Sequence, residues 1–273
     1  MSAAVGERMP RAGASVFDLR DERAWQRWRR RKLETQPRDV SDLLVEVRDP
    51  RNLSRGEHDA IVERCRRANM AIYASPVVDD DPAIVHRLGV QLGLRRLDTN
   101  LLAEPDGITR ITVTREKAVA GYIPYTARRM LWHTDGYYNP PALRVRAMLL
   151  HCVRPAACGG SNALFDHEMA WLLLRDIDAQ LVEALMSPDA LAIPARIDED
   201  GLARAAACGP VFSVEPASGD LAMRFTARRR SVEWKRDAIV SQAAARLLAL
   251  LDGESRCAMR VRLEAGMGIV CNN

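Results

Sequence analysis

Apolar positions recur every three to four residues through much of the first third of the chain, the period of one face of a helix. Residues 21–33 carry Trp25 and Trp28 three apart, and Ser54 stands before residues 55–68 with Glu57 where a capping box requires an acid. Asp81 precedes a third helical stretch over residues 82–92. The period changes after Gly107. Residues 108–115 alternate apolar and polar positions, as a half-buried strand does, and residues 145–153 form a denser apolar run suited to a buried strand. Short strands are expected at 162–165, 211–215, 221–226, 258–264 and 268–271, with helices at 167–175, 179–186 and 236–251 between them. Residues 1–15 have no such period and are expected to be disordered, with order beginning near Val16.

Strands and helices mixed without a regular βαβ alternation predict an α+β chain whose strands close into a sandwich or barrel. The expected organisation is one domain over residues 16–273, with a largely helical part at 16–106 and a β-rich core at 107–273. No apolar run approaches the roughly 20 residues of a membrane span, and the N-terminal acids argue against a transit peptide, so a cytoplasmic protein without membrane contact is expected. The net charge of +4 is too small for the basic stripe of a nucleic-acid binder, and the run at residues 27–32 reads as a solvated helix face. Six cysteines without a Cys-x-x-Cys pair read as reduced, mostly buried thiols.

The chemistry concentrates at Trp132-His133-Thr134-Asp135-Gly136. On an extended segment His133 and Asp135 point the same way, so imidazole and carboxylate can grip one metal ion. A hydrogen-bonded structural His-Asp pair accounts for the same two residues. Turn formers Asn139, Pro140 and Pro141 follow, just before the densest apolar strand, which puts the pair at a strand end near a cavity.

Residues 131–139 (Leu-Trp-His-Thr-Asp-Gly-Tyr-Tyr-Asn) resemble the metal-binding segment of the taurine dioxygenase (TauD/TfdA-like) family of Fe(II)- and 2-oxoglutarate-dependent oxygenases. Arg154-Pro155 followed by Gly159-Gly160-Ser161-Asn162-Ala163-Leu164-Phe165-Asp166 is similar to that family's glycine turn and next strand, and residues 264–273 resemble its approach to the last metal ligand. The resemblance runs over residues 108–273. It implies a double-stranded β-helix, or jelly roll, core with flanking helices, in which His133 and Asp135 are two of three Fe(II) ligands. It also implies 2-oxoglutarate as cosubstrate, dioxygen and a small-molecule substrate as partners, and hydroxylation with release of succinate and CO2. Asn162 falls where relatives often carry a threonine that contacts the cosubstrate, and its amide can donate a similar bond.

The family's third ligand is a histidine shortly after the Gly-x-Gly strand, and an arginine beyond it pairs with 2-oxoglutarate. The sequence reaches Asn273 without matching either. His58, His86 and His167 lie in predicted helices, and His151 in an apolar strand reads as a core histidine. Two expectations follow: a fragment of a full-length oxygenase, which the abrupt ending favours, or a truncated, non-catalytic relative that acts as a binding or interaction protein. In both, the C-terminal end of the core is expected to be missing and residues 268–271 to leave an open sheet edge. Trp132, Tyr137 and Tyr138 either line a pocket or pack the barrel, while Arg224 and Arg228 either meet an anionic substrate or are solvated.

Overall fold

The computed structural model describes residues 16–98, 106–113, 123–198 and 201–273. Its N-terminal part runs α1 (Glu22–Thr35), β1 (Leu44–Glu46), α2 (Arg55–Ala68), β2 (Met70–Ala74) and α3 (Ala83–Gln91). Asp21 caps α1 by accepting from the Ala24 amide at 2.8 Å, and Ser54 and Glu57 close the expected capping box on α2. Asn69, in the left-handed conformation at φ 60°, ends α2 and turns the chain directly into β2.

Two strands and two helices come next: β3 (Ala147–His151), β4 (Ser161–Leu164), α4 (His167–Ile177) and α5 (Ala179–Leu185). Short strands follow as β5 (Leu191–Ile193), β6 (Arg196–Asp198), β7 (Gly201–Arg204), β8 (Ala207–Gly209), β9 (Phe212–Val214), β10 (Leu221–Met223) and β11 (Glu233–Trp234). The chain then forms α6 (Ala238–Ala249), β12 (Met259–Arg262) and β13 (Met267–Asn272).

The main sheet has the order β1-β2-β13-β3. Strand β13 pairs antiparallel with β2 on one side and β3 on the other, so it is interior. The open edge expected at 268–271 is therefore not there: β2, from a third of the chain read as largely helical, covers it. That reading missed β1 and β2 because they are short and β2 is buried along nearly its whole length, which erases the alternation of a two-faced strand. The sheet thus draws strands from both sides of residue 106.

Gly268 explains the close packing of this sheet. A Cβ there would sit 2.4 Å from the Leu150 carbonyl oxygen and 2.4 Å from the Tyr73 ring. Gly266, at φ +83°, makes the turn into the same strand. The strand expected at 108–115 is not formed over its described part, 108–113, and its last residues fall outside the described set, as do residues 1–15. Periodicity alone gives residues 108–113 no pairing partner, and tertiary pairing decides strand formation. The thiols also differ from expectation: Cys158 and Cys208 are exposed and the other four are partly buried.

The largest core cluster packs α4, α5 and α6 against β5, β9 and β10. Phe17, Trp25 and Trp28 bring the N-terminal segment onto it, with Phe17 and Trp25 each 5.2 Å from the Trp171 ring in edge-on contact. Beside this cluster lies a buried polar network. Lys32 Nζ is 2.6 Å from Asp166 Oδ2 and donates to the Arg67 carbonyl at 2.9 Å, while Asn69 donates to Asp166 Oδ1 at 2.8 Å. Burial pulls the Lys32 pKa down, but the Asp166 and Glu168 carboxylates outweigh it and raise the pKa above its ordinary 10.5. The charged lysine therefore contributes its full stabilisation below that value, and loses it as the pH climbs through the folded pKa.

Replacing Lys32 by Met leaves the buried Asp166 carboxylate without its cation, so Lys32→Met should cost about 3–5 kcal/mol in urea-induced unfolding at neutral pH. A loss below about 1 kcal/mol, the worth of a surface ion pair, would show that the network does not hold the helices.

Candidate metal centre

His133 lies on a short extended segment that forms an antiparallel bridge with Thr226. Thr134 donates its amide to the Phe225 carbonyl at 2.9 Å and Ala227 to the Trp132 carbonyl at 2.7 Å. The Phe225 amide donates to Thr134 Oγ at 3.1 Å, which locks the segment against its partner. Gly136 then turns the chain at φ +61°, where a Cβ would meet Val145 at 2.6 Å.

Two residues apart on this segment, His133 and Asp135 fall on one side, with Nε2 3.4 Å from Oδ1. His133 Nδ1 lies 2.7 Å from the Leu131 carbonyl oxygen. A carbonyl only accepts, so Nδ1 carries the hydrogen and Nε2 is the nitrogen that faces the carboxylate. Neutral imidazole then places a lone pair opposite a carboxylate, an arrangement that calls for a cation or a proton between them. Burial disfavours the imidazolium, but the Asp135 carboxylate and the Leu131 carbonyl outweigh it and raise the His133 pKa, with the Arg228 guanidinium opposing them. One imidazole nitrogen and one carboxylate oxygen suit Fe(II) as donors, and the backbone bond to Nδ1 is the support that metal-binding histidines carry.

Asn273 holds the other half of the pair, a role that sequence reasoning did not assign. Its side-chain oxygen accepts from the Asp135 amide at 2.6 Å, and its Nδ2 donates to the Asp135 and Val145 carbonyls, each at 2.7 Å. Strand β13 delivers it there, and next to it Asn272 donates to Asn69 Oδ1 at 2.7 Å, which ties the strand end to the buried network. The signal was the polar doublet Asn272-Asn273 directly after an apolar strand.

The other expected residues have contacts of their own. Asn162 Nδ2 donates to the carbonyl of Gly160 in its own turn at 3.4 Å, and the residue pairs across the ladder with Val261. Arg224 is spent on structure: its guanidinium donates to the carbonyls of Leu191 and Gly209, at 2.5 and 3.0 Å. Trp132, Tyr137 and Tyr138 are partly buried and pack against the large core cluster, Trp132 edge-on to Phe165 at 6.2 Å. His151 packs as a core histidine with Nδ1 2.8 Å from the Tyr73 hydroxyl, and buried His167 places Nε2 2.9 Å from the Leu221 carbonyl. Among the described residues, no group of three or more His, Cys, Asp or Glu converges on one point.

Comparison with known proteins defines the class. The profile of the taurine catabolism dioxygenase TauD, TfdA family matches residues 73–273. The non-haem iron oxygenase OrfP, solved with Fe and alpha-ketoglutaric acid, superposes with a TM-score of 0.57 at 14% identity, over 89% of this chain and 80% of OrfP. Asparagine oxygenase, solved with Fe(II), 2S,3S-3-hydroxyasparagine and succinate, superposes with a TM-score of 0.54 at 13% identity, over 89% of this chain and 81% of that one. The fold is thus the double-stranded β-helix of the non-haem iron oxygenases. Within that class, the chain belongs to the TauD, TfdA family. It is also similar to a uridine-5'-phosphate dioxygenase of Amycolatopsis sp., 34% identical over 155 residues, which span 54% of this chain and 53% of that protein, about half its length.

Asn273→Ala should release the Asp135 amide, raising its hydrogen-exchange rate about tenfold, the equivalent of ~1.4 kcal/mol, while the amides of Ile269 and Val270 keep theirs. Unchanged exchange at Asp135 would show that the clasp carries no load.

Proposed function

We propose that the protein is an Fe(II)- and 2-oxoglutarate-dependent oxygenase that hydroxylates a small molecule, with His133 and Asp135 as two of the metal's ligands. Family membership and fold support the reading. The observation that carries it is the orientation of His133, whose Nδ1 is committed to the Leu131 carbonyl so that Nε2 faces Asp135. Bound at this pair, Fe(II) with 2-oxoglutarate and dioxygen supplies the oxidising chemistry that hydroxylates a C–H bond, releasing succinate and CO2.

The chain's own residues have separable tasks. His133 presents a neutral nitrogen, made more basic by the carbonyl behind it, and Asp135 offsets part of a bound cation's charge. Asn273 fixes the Asp135 backbone from the other side, so the carboxylate is held in place before a ligand arrives. Asn273, directly after β13, emerges beside the pair. Trp132, Tyr137 and Tyr138 wall the segment with aromatic surface, and Arg204 lies over the Tyr138 ring at 5.5 Å.

Anaerobic titration with Fe(II) and 2-oxoglutarate, followed by the visible metal-to-ligand charge-transfer band, tests this reading. The band should appear with the parent chain, and His133→Ala and Asp135→Ala should each weaken Fe(II) binding by about 100-fold. Variants that bind Fe(II) as the parent does would remove both residues from the site.

A further inference from the structure

The bridge that positions His133 also gathers arginines. Residues 132–134 run antiparallel to residues 225–227, so the residues before Trp132 and those after Ala227 leave the bridge at the same end. The first carry Arg128 and Arg129, the second Arg228, Arg229 and Arg230, and all five are exposed. Among the described residues none of the five forms an ion pair, and the bonds of Arg228 are made by its backbone, the amide donating to Thr226 Oγ at 3.3 Å and the carbonyl accepting from the Ser231 amide at 2.9 Å. Other arginines are occupied: Arg144 and Arg146 face Glu215 at 3.8 and 2.9 Å, and Arg204 donates to the Pro194 carbonyl at 2.7 Å.

Arg228 is extended, at φ −77° and ψ 97°, two residues beyond Thr226, so alternation along the strand points it to the side on which His133 lies. Between the arginines stand Met130 and Leu131, 45% and 43% exposed, an apolar surface at the same lip.

We propose that this lip binds a phosphate group of the substrate, holding the rest of the molecule toward His133 and Asp135. The proposal rests on the oxygenase reading and adds the substrate's chemical class. A single carboxylate is satisfied by one guanidinium fork, whereas five guanidinium groups that have no ion-pair partner among the described residues suit a multiply charged oxyanion. Met130 and Leu131 then meet the uncharged part of the same molecule.

The test is calorimetric titration of the metal-free chain with inorganic pyrophosphate at physiological salt, with glutarate as a dicarboxylate comparison. Arg228→Gln combined with Arg229→Gln should weaken pyrophosphate binding at least about tenfold. Arg256→Gln combined with Arg260→Gln, two exposed arginines elsewhere, should leave it unchanged. Equal loss in both double variants would mean general charge attraction and overturn the proposal. So would a loss confined to glutarate, which would give the lip to the 2-oxoglutarate carboxylate instead. If no charge-transfer band forms with Fe(II) and 2-oxoglutarate while the pyrophosphate result holds, the oxygenase reading fails and the oxyanion site stands.

Discussion

A lysine ammonium that water does not reach must be answered by the protein, and the answer to Lys32 organises much of this molecule. Asp166 meets it at 2.6 Å, and the same carboxylate caps α4 through the Glu168 amide and accepts from Asn69. Asn69 in turn ends α2 in the left-handed conformation and receives Asn272 from the end of β13. One buried charge thereby fixes the relation of α1, α2, α4 and the central strand. The next residue of that strand, Asn273, clasps Asp135. The position of the candidate metal ligand is thus continuous, through amides and one carboxylate, with an ion pair between two helices far along the chain.

How much of this was legible depended on the range of the signal. The capping box at Ser54 and Glu57 and the paired tryptophans of α1 lie within a turn or two of one another, so the sequence carries them openly. Strand β13 was visible as a strand, but its interior place in the sheet was not, since that depends on β2, nearly 200 residues earlier, whose buried positions show no alternation. Gly268 had a reading as family motif before it had a physical one. Only the structure shows that the Tyr73 ring and the Leu150 carbonyl fill the space its side chain would need.

The site divides in the same way. His133 and Asp135 are two residues apart, and strand alternation turns that spacing into a shared side. Asn162 was matched by motif, and its ladder is with β12 rather than with the segment that carries the pair. Asn273 is the reverse case: no local rule assigns a function to a terminal asparagine, and its contacts span 138 positions. Arg224 and Arg228 show the limit most clearly. Four residues apart in one strand region, they look alike in sequence, but Arg224 closes a ring of backbone carbonyls while Arg228 has a side chain without an ion-pair partner among the described residues.

That contrast follows from the bridge between residues 132–134 and 225–227. Antiparallel pairing fixes His133 opposite Thr226 and, by the same register, sends Arg228 out beside Leu131. A single ladder therefore sets both the direction of the imidazole and the place of an arginine without an ion-pair partner among the described residues. A metal pair and an oxyanion lip built on separate loops would move independently, and their spacing would vary with each loop's motion. With the proposed lip drawn from both arms of the one bridge that carries His133, the two keep a constant separation, which is what the proposed reaction requires of a substrate held at one end and oxidised at the other.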